Sequence, residues 1–590
     1  MEQNSPLWRS LARERHVSPL AKIQNLIHSF SITEKVLFLV CAVILIGATL
    51  SLAAKVSYSF GSEVPSYGGE LTEGIVGTPR FVNPLLAASD ADRDLTTLVY
   101  SGLLKATPDG GYIPDLAEKY TVSPDGLVYT FTIRKDAQFH DGEPVTADDV
   151  KFTIEKALDS TLKSPRRVNW EGVTVQKTDA NTIVFSLKQP YAPFIGSLTL
   201  GILPRHIWQN LESDQIPFSD KNLQAIGSGP YKIDSIKRSK DGIPTEFVLR
   251  SNKNYALGEP YISKISLTFY SNENNLVHAL QDGDVESASN LTPNSAKLVE
   301  HDAALVSAPL TRIFGVFFNQ NENEILAHKE VRKALSLAIN KENIIESVLL
   351  GYGSEADGPL PPTVVHSVIG TSTASSSRAE ALDVLGDAKW KKNPATGLFE
   401  LKGKTSSSTI SISLSTANIP ELVESAKKIE EDWKNLGATV DVRVFEPADL
   451  NQGVIRPRKY EALLFGIVTG KNADLYPFWH SSQRNDPGLN ISLYTNTTAD
   501  KLLEKMRIAT STEAIAKLYA TFKEEIDSDT PAAFLWSPDF IYAIPAKLHG
   551  VKLGEITTPS DRFIGIQDWY VKTDHVWDVF IDNDEKIINN

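Results

Sequence analysis

His140 stands directly before Asp141, and a histidine beside a carboxylate is the raw material of a general base and its orienting acid. The two open an Asp-Gly turn, however, where adjacent side chains point apart, so the pair reads as structural. Gly227-Ser228-Gly229-Pro230 sets a serine between glycines but lacks the GxSxG spacing that exposes a hydrolase nucleophile. No HExxH helix offers paired imidazoles, no cysteine pair offers thiolates, and no GxxxxGKS or GxxxxGKT loop offers a phosphate cradle. The 73 Asp and Glu are scattered, so chance pairs are unavoidable and none defines an acid/base couple. The expectation is a protein that is not an enzyme and needs neither cofactor nor metal.

What remains is chemistry for binding. The chain carries 9 Trp, 18 Tyr and 24 Phe, and rigid aromatics with a few polar groups are what a pre-formed ligand cleft uses. Most of them must nonetheless sit in cores. The 590 residues, 42% hydrophobic and 22% charged, suffice for several cores. A net charge of −14 with no basic run excludes nucleic acid as a partner.

The elements that would position a cleft alternate along the chain. Ser123-Pro124-Asp125-Gly126 is a turn feeding a strand in which Leu127, Tyr129, Phe131 and Ile133 share a face. Thr182–Lys188 repeats that alternation and would pair with it. Thr146, three residues before Asp149, reads as a capping box opening a helix. Later, Pro420–Leu436 carries Leu422, Ala426, Ile429 and Trp433 at helical spacing, with Gly437 as its stop and TVDVRVF as the strand beyond. Helix, glycine and strand in that order make an α/β crossover unit. Ser367–Ser377, biased to Ser, Thr and Ala, reads as a surface loop.

Val36–Ala54 is uncharged and bounded by Lys35 and Lys55; as a helix it extends about 28 Å, close to the hydrocarbon thickness of a bilayer. Arg9, Arg13, Arg15, Lys22 and Lys35 precede it and acids follow, which places the N-terminus in the cytoplasm and the bulk of the chain outside. Two other readings compete with an uncleaved anchor: signal-peptide cleavage at Ser51-Leu52-Ala53 and lipid attachment at Cys41. The 35-residue leader is long for the first, and Val40 stands where lipid-attachment motifs have Gly or Ala. Cys41 is the only cysteine, so the exported part has no disulfide. Lys55–Gly69, polar and rich in Gly, Ser and Pro, reads as a flexible tether.

In order along the chain, several segments resemble the extracellular solute-binding proteins of family 5, the peptide and nickel type. They are GGELTEGIVGTPRFVNPLL and its continuation to Leu158, GSGPYKI (Gly227–Ile233), HALQDGDVE (His278–Glu286), Phe317–Gly353 and DSDTPAAFLW (Asp527–Trp536). The resemblance covers nearly all of residues 68–590. It implies a two-lobed α/β fold of the periplasmic-binding-protein kind (class II, large type), here preceded by a single transmembrane helix. The implied organisation is a cytoplasmic leader (1–35), an anchor (36–54), the tether (55–69), lobe I (70–311), lobe II (312–530) and a return to lobe I (531–590). Its implied role is the monomeric capture subunit of an ABC importer, closing its lobes on a peptide-like solute and passing it to permease subunits with their ATPases. A ligand-sensing receptor, a binder of a non-peptide solute and a membrane-tethered hydrolase are the other readings to weigh.

Carried over by position, the resemblance implies ligand contacts from Ala88, Ser89 and Asp90 in lobe I, Asn290 on a short turn, and Arg312 and Trp536 at the crossings. Gly466, Ile467, Val468, Thr469 and Gly470 would form the lobe II wall. Arg312 is expected to hold a solute carboxylate. The sequence departs from the family pattern where peptide binders place an aspartate, which here is Gly470, and where a tryptophan is usual, which here is Ile467. Asp474 is the acid that a shifted loop would bring in, and the cargo stays open between a peptide held by its backbone and a solute without an amino terminus.

Overall fold

The uncharged run at residues 36–54 lies within one helix, α1 (Ile32–Ser59), in the computed structural model, which describes residues 29–59, 61–364, 377–403, 407–471, 473–509 and 511–577. Residues 32–52 of α1 are long and apolar enough to cross a membrane, as an anchor or an export signal must be. Leu37, Leu39, Ile44 and Leu45 stand exposed along it, as does Cys41. The leader before residue 29 and most of Ser367–Ser377 lie outside the described residues.

Contact density divides the chain into two units, one of residues up to Ser66 and from Thr573 onward, the other Tyr67–Lys572. In the first, the tether expected over residues 55–69 is partly regular structure. Helix α1 continues to Ser59, and β1 (Gly61–Ser66) pairs with the last described strand, Lys572–Trp577. Ser66 Oγ donates to Asp574 Oδ2 at 2.8 Å. Local composition pointed to coil because β1 owes its order to a partner some five hundred residues away, and as an outer strand it tolerates Pro65.

In the second unit, lobe I begins with β2 (Glu70–Val76) and α2 (Asp90–Val99). A four-stranded antiparallel sheet follows, built from β3 (Ala117–Val122), β4 (Val128–Ile133), β5 (Val173–Lys177) and β6 (Thr182–Leu187) in the order β3-β4-β6-β5. The expected pairing is present, with Phe131 opposite Ile183, and the alternating aromatics are buried. Helix Ala147–Leu158 starts where expected, Thr146 N and Oγ1 both donating to Asp149 Oδ2 at 2.9 and 2.7 Å. Strands β7 (Tyr231–Arg238), β8 (Pro244–Ser251), β9 (Lys264–Tyr270), β10 (Ser287–Ser289) and β11 (Ala304–Pro309) complete the lobe.

Lobe II starts with β12 (Arg312–Phe318) and a short strand, β13 (Gly353–Glu355). Next come β14 (Ser411–Ala417), α3 (Pro420–Leu436) and β15 (Thr439–Phe445), with β14 and β15 parallel. This is the predicted crossover: Leu422, Ala426, Ile429 and Trp433 are buried, and Gly437 takes φ 121° past the helix end. Strand β16 (Ala462–Val468) and helices α4 (Thr497–Ile508) and α5 (Thr512–Asp529) lead to β17 (Ala532–Ile544).

One twelve-stranded sheet runs through both lobes in the order β15-β14-β16-β12-β17-β10-β2-β9-β8-β7, with β11 and β13 also pairing with β17. The buried apolar residues form one large core from Ile313 to Trp536 and another from Leu71 to Leu310 together with Phe540–Trp569. Strand β17 belongs to both. Its residues 532–536 pair with β12, and 539–544 pair with β11.

Lobe I is pinned by a buried charge cluster. Arg562 is 1% exposed; its guanidinium meets Glu73 Oε1 at 2.6 Å and both oxygens of Asp94, Nη1 to Oδ1 at 2.9 Å and Nη2 to Oδ2 at 2.7 Å. Tyr542 Oη donates to the other oxygen of Glu73 at 2.8 Å. Two carboxylates sharing one cation leave a net negative charge in the interior, and burial pushes the Asp94 carboxyl up to about 6 against the pull of Arg562.

Removing one partner of a buried ion pair is costly because the others stay uncompensated. Arg562→Met should therefore lower unfolding free energy by about 3–5 kcal/mol, read by denaturant titration; a loss under 1 kcal/mol would refute the cluster's structural role. Since the folded state holds the Asp94 proton more tightly than the unfolded chain does, its contribution to stability falls as pH rises from about 4 to about 6. Relative to Asp94→Asn, the wild type should lose up to about 3 kcal/mol over that window. A pH-independent difference between the two would contradict this.

Candidate ligand-binding cleft

The loop Ala88–Asp90 is shaped by one carboxylate. Asp92, 2% exposed, accepts from the backbone N–H groups of Arg80 and Phe81 at 2.6 and 2.8 Å and of Ser89 at 3.3 Å. Ser89 in return caps α2, its Oγ accepting from Asp92 N at 3.1 Å. The Ser89 side chain is thus committed to the helix, while Asp90 pairs with Arg93 at 2.8 Å. Asp90 also favours the charge of Arg312, which burial otherwise disfavours. Arg312 Nε is buried with no hydrogen-bond partner.

Across the sheet, Val468 lies opposite Arg312 and is 47% exposed, whereas Ile467 opposite Ile313 is buried in the lobe II core. Thr469 N donates to Thr311 O at 3.0 Å. Gly466 faces Phe314, and a Cβ there would meet the Phe314 ring at 2.7 Å. Phe314 in turn stacks on the buried Trp536, centroids 5.4 Å apart. Gly470 takes φ 68° with open space around it. Asn290 is exposed in the left-handed region at φ 57°. The structure therefore brings Asp90, Arg312, Val468 and Thr469 to the start of the crossing strands, and gives Ile467 and Trp536 to the core.

Asp474 is already held. It accepts two bonds from Arg507 Nε at 3.0 and 3.1 Å and one from Nη2 at 2.6 Å, and a third group, Tyr191 Oη of lobe I, at 3.3 Å. Burial disfavours the Arg507 charge, but the Asp474 bonds more than offset it and raise its pKa above the usual value. The guanidinium lies 3.9 Å from the Tyr476 ring centroid, and Arg507 O accepts from Ala192 N at 3.1 Å. Lys471 reaches Asp561 at 3.5 Å. These contacts tie lobe II to lobe I through side chains and one backbone bond.

Beside them lies a cavity of about 1090 Å³, walled chiefly by lobe I and bounded by Lys471 and Arg507 of lobe II. None of the residues expected to contact ligand, Arg312 included, lines it; Ala87 and Lys471, next to Ala88 and Gly470 in sequence, do. One face of α2, Arg93, Thr96 and Thr97, lines it, followed by Tyr100 just past the helix end, along with Ser101, Lys105, Asp115 and Arg166. The i, i+3, i+4, i+7 spacing of that polar face is the signal that sequence reasoning passed over. Lys105 Nζ donates to Tyr255 Oη at 3.1 Å and Gln567 Oε1 at 2.6 Å. Burial pushes the neighbouring Asp115 carboxyl up to about 6, with Lys105 opposing.

The acid/base pair considered from sequence does not form. His140 Nδ1 accepts from Gly227 N at 3.3 Å and Nε2 faces Gly229 O at 3.1 Å, an arrangement of the neutral ring, whose pKa burial pushes down to about 4. Asp141 meets His206 instead, at 2.8 Å. Among the described residues, no group of three or more His, Cys, Asp or Glu is placed to hold a metal ion.

Comparison with known proteins matches this architecture. The profile of "Bacterial extracellular solute-binding proteins, family 5 Middle" covers residues 111–488, more than half the chain. The oligopeptide-binding protein AppA of Bacillus subtilis is 28% identical over 541 residues, 90% of this chain and 97% of that protein. The dipeptide-binding protein of Pseudomonas aeruginosa is 24% identical over 83% of this chain and 93% of its own length. Among solved structures, AppA in complex with a nonapeptide superposes with a TM-score of 0.66, covering 86% of this chain and all of AppA. The ABC transporter substrate-binding protein CtaP of Listeria monocytogenes, 25% identical, does so at 0.73 over 86% of this chain and all of CtaP. These relatives are solute-binding proteins of two-lobed fold, and the present chain belongs with them to the bacterial extracellular solute-binding proteins, family 5.

Proposed function

We propose that this chain is the capture subunit of an ABC importer, held at the outer face of the membrane by α1 with its N-terminus cytoplasmic. It closes its two lobes on a peptide-like solute and delivers it to a permease, catalysing nothing itself. The observation that carries this reading is the cavity of about 1090 Å³, which lobe I chiefly walls, Lys471 and Arg507 of lobe II bound, and which holds room for several amino-acid residues. The strands shared between the lobes allow closure about a hinge while the Asp474–Arg507–Tyr191 contact and the Lys471–Asp561 pair close the far side.

In this reading Arg312 receives a solute carboxylate, supported by its unpartnered Nε and by its place opposite the exposed Val468. The backbone of Val468–Gly470 and the loop Ala88–Asp90 complete the contact surface, with Asn290 at its margin. Gly470 in place of an acid favours a ligand held through its backbone and carboxylates over one anchored by an amino terminus.

Mass spectrometry of small molecules that co-purify with the detergent-solubilised chain should return peptides or amino-acid derivatives; a lipid, sugar or tetrapyrrole would replace the peptide reading while keeping the fold. Sustained hydrolysis of a peptide library by the same preparation would sink the binding-only reading. Calorimetry with the recovered solute should show Arg312→Ala weakening affinity at least about tenfold, as loss of a charge-assisted hydrogen bond does. Unchanged affinity would remove Arg312 from the site.

A further inference from the structure

Among the described cations that line the cavity, one half-buried side chain has no partner. Arg93 is paired with Asp90, Lys471 with Asp561 and Arg507 with Asp474, while Lys105 donates to Tyr255 and Gln567 beside Asp115. Lys188 is exposed and solvated. Arg166, which lines the same cavity, has Nε buried with no hydrogen-bond partner and no carboxylate within ion-pair distance among the described residues. Burial and the like charge of Arg93 both disfavour its bare cation. A desolvated guanidinium left without an anion costs free energy that a folded protein keeps only where something else supplies the acceptor.

Two hydroxyls, one on α2 and one at its C-terminal cap, are in the same condition. Thr96 Oγ1 and Tyr100 Oη are buried without hydrogen-bond partners, Tyr100 being 5% exposed, and both residues line the cavity on the helix face that carries Arg93. Leu95, Leu98 and Val99 hold the opposite face in the lobe I core, so the polar face cannot rotate away. A guanidinium and two hydroxyls are all able to donate. The group that satisfies them is rich in acceptor oxygens and negatively charged, and carboxylate matches the guanidinium fork.

We propose that Arg166, with Thr96 and Tyr100, forms a receptor for an acidic group of the captured solute, additional to the carboxylate assigned to Arg312. This rests on the solute-capture reading and narrows the cargo to carboxylate-rich solutes. An acidic residue of a peptide and a free polycarboxylate offer the same chemistry.

The full-length chain in detergent, freed of co-purified solute, is titrated calorimetrically with Ala-Glu-Ala-Ala, with Ala-Gln-Ala-Ala and with citrate. The glutamate peptide should bind at least about tenfold tighter than the glutamine peptide, and Arg166→Gln should erase that difference. Equal affinities in the wild type, or a preference that survives Arg166→Gln, overturn the proposal. Binding of citrate alone, lost in Arg166→Gln, upholds the acidic-group receptor and refutes the peptide reading; no binding by any of the three overturns it. Should Arg166→Gln fail to fold by circular dichroism, Arg166→Lys, which keeps charge without the fork, and Thr96→Val are read by the same criterion.

Discussion

The contact on which lobe I depends is the one between Arg562 and its two acids. It joins two early segments, β2 through Glu73 and α2 through Asp94, to two late ones, β17 through Tyr542 and the turn at Pro559–Asp568 that carries Arg562. A guanidinium presents five donors in a fixed plane, so satisfying both carboxylates sets orientation as well as distance. Asp94 lies on α2 next to Arg93, and when it turns inward to Arg562 the face holding Arg93, Thr96, Thr97 and Tyr100 is turned to the cavity. The geometry of the cleft wall thus follows from a charge pair that never touches solvent.

The second constraint is that the lobes share a sheet. Strand β17 contributes its first half to one core and its second half to the other, and β12 lies beside it. Close approach at this crossing is bought by small residues: a Cβ on Gly315 would come within 2.7 Å of Ala533 O, and Gly466 gives way to the Phe314 ring that stacks on Trp536. Backbone ladders make the joint continuous, whereas the remaining ties between lobes are the side-chain contacts of Asp474, Arg507 and Lys471 and the single backbone bond from Ala192 N to Arg507 O, which can form and break. A binding protein needs both, a fixed hinge and a reversible clasp.

What the sequence made legible was local. The helix Pro420–Leu436 with its Gly437 stop, the strand after it, the Thr146 cap and the Phe131 and Phe185 strands all follow from periodicity and capping chemistry within about twenty residues, and they lie where expected. What was not legible depends on distant partners. Glu73 and Arg562 are 489 positions apart, β1 gains its order from the last described strand, and Asp474 reads as an available acid until Arg507 and Tyr191 are seen against it. The same holds for the cleft, where positional analogy pointed to Ala88 and Gly470, while the cavity wall is made by Ala87, Lys471 and a helix face whose polarity is visible in the sequence but whose direction is not.

Charge adds a last constraint on how a carboxylate-bearing solute would be taken up. The chain carries a net charge of −14, so its far field repels anions, yet Arg93, Arg166, Lys105, Lys188, Lys471 and Arg507 all border the cavity against Asp115, Glu171 and Asp561. At physiological ionic strength the screening length is about 8 Å; outside the cleft the solute therefore feels little of either field. Once inside, the nearby cations dominate. Selectivity built this way acts on how long a solute stays more than on how fast it arrives, which suits a solute-binding protein.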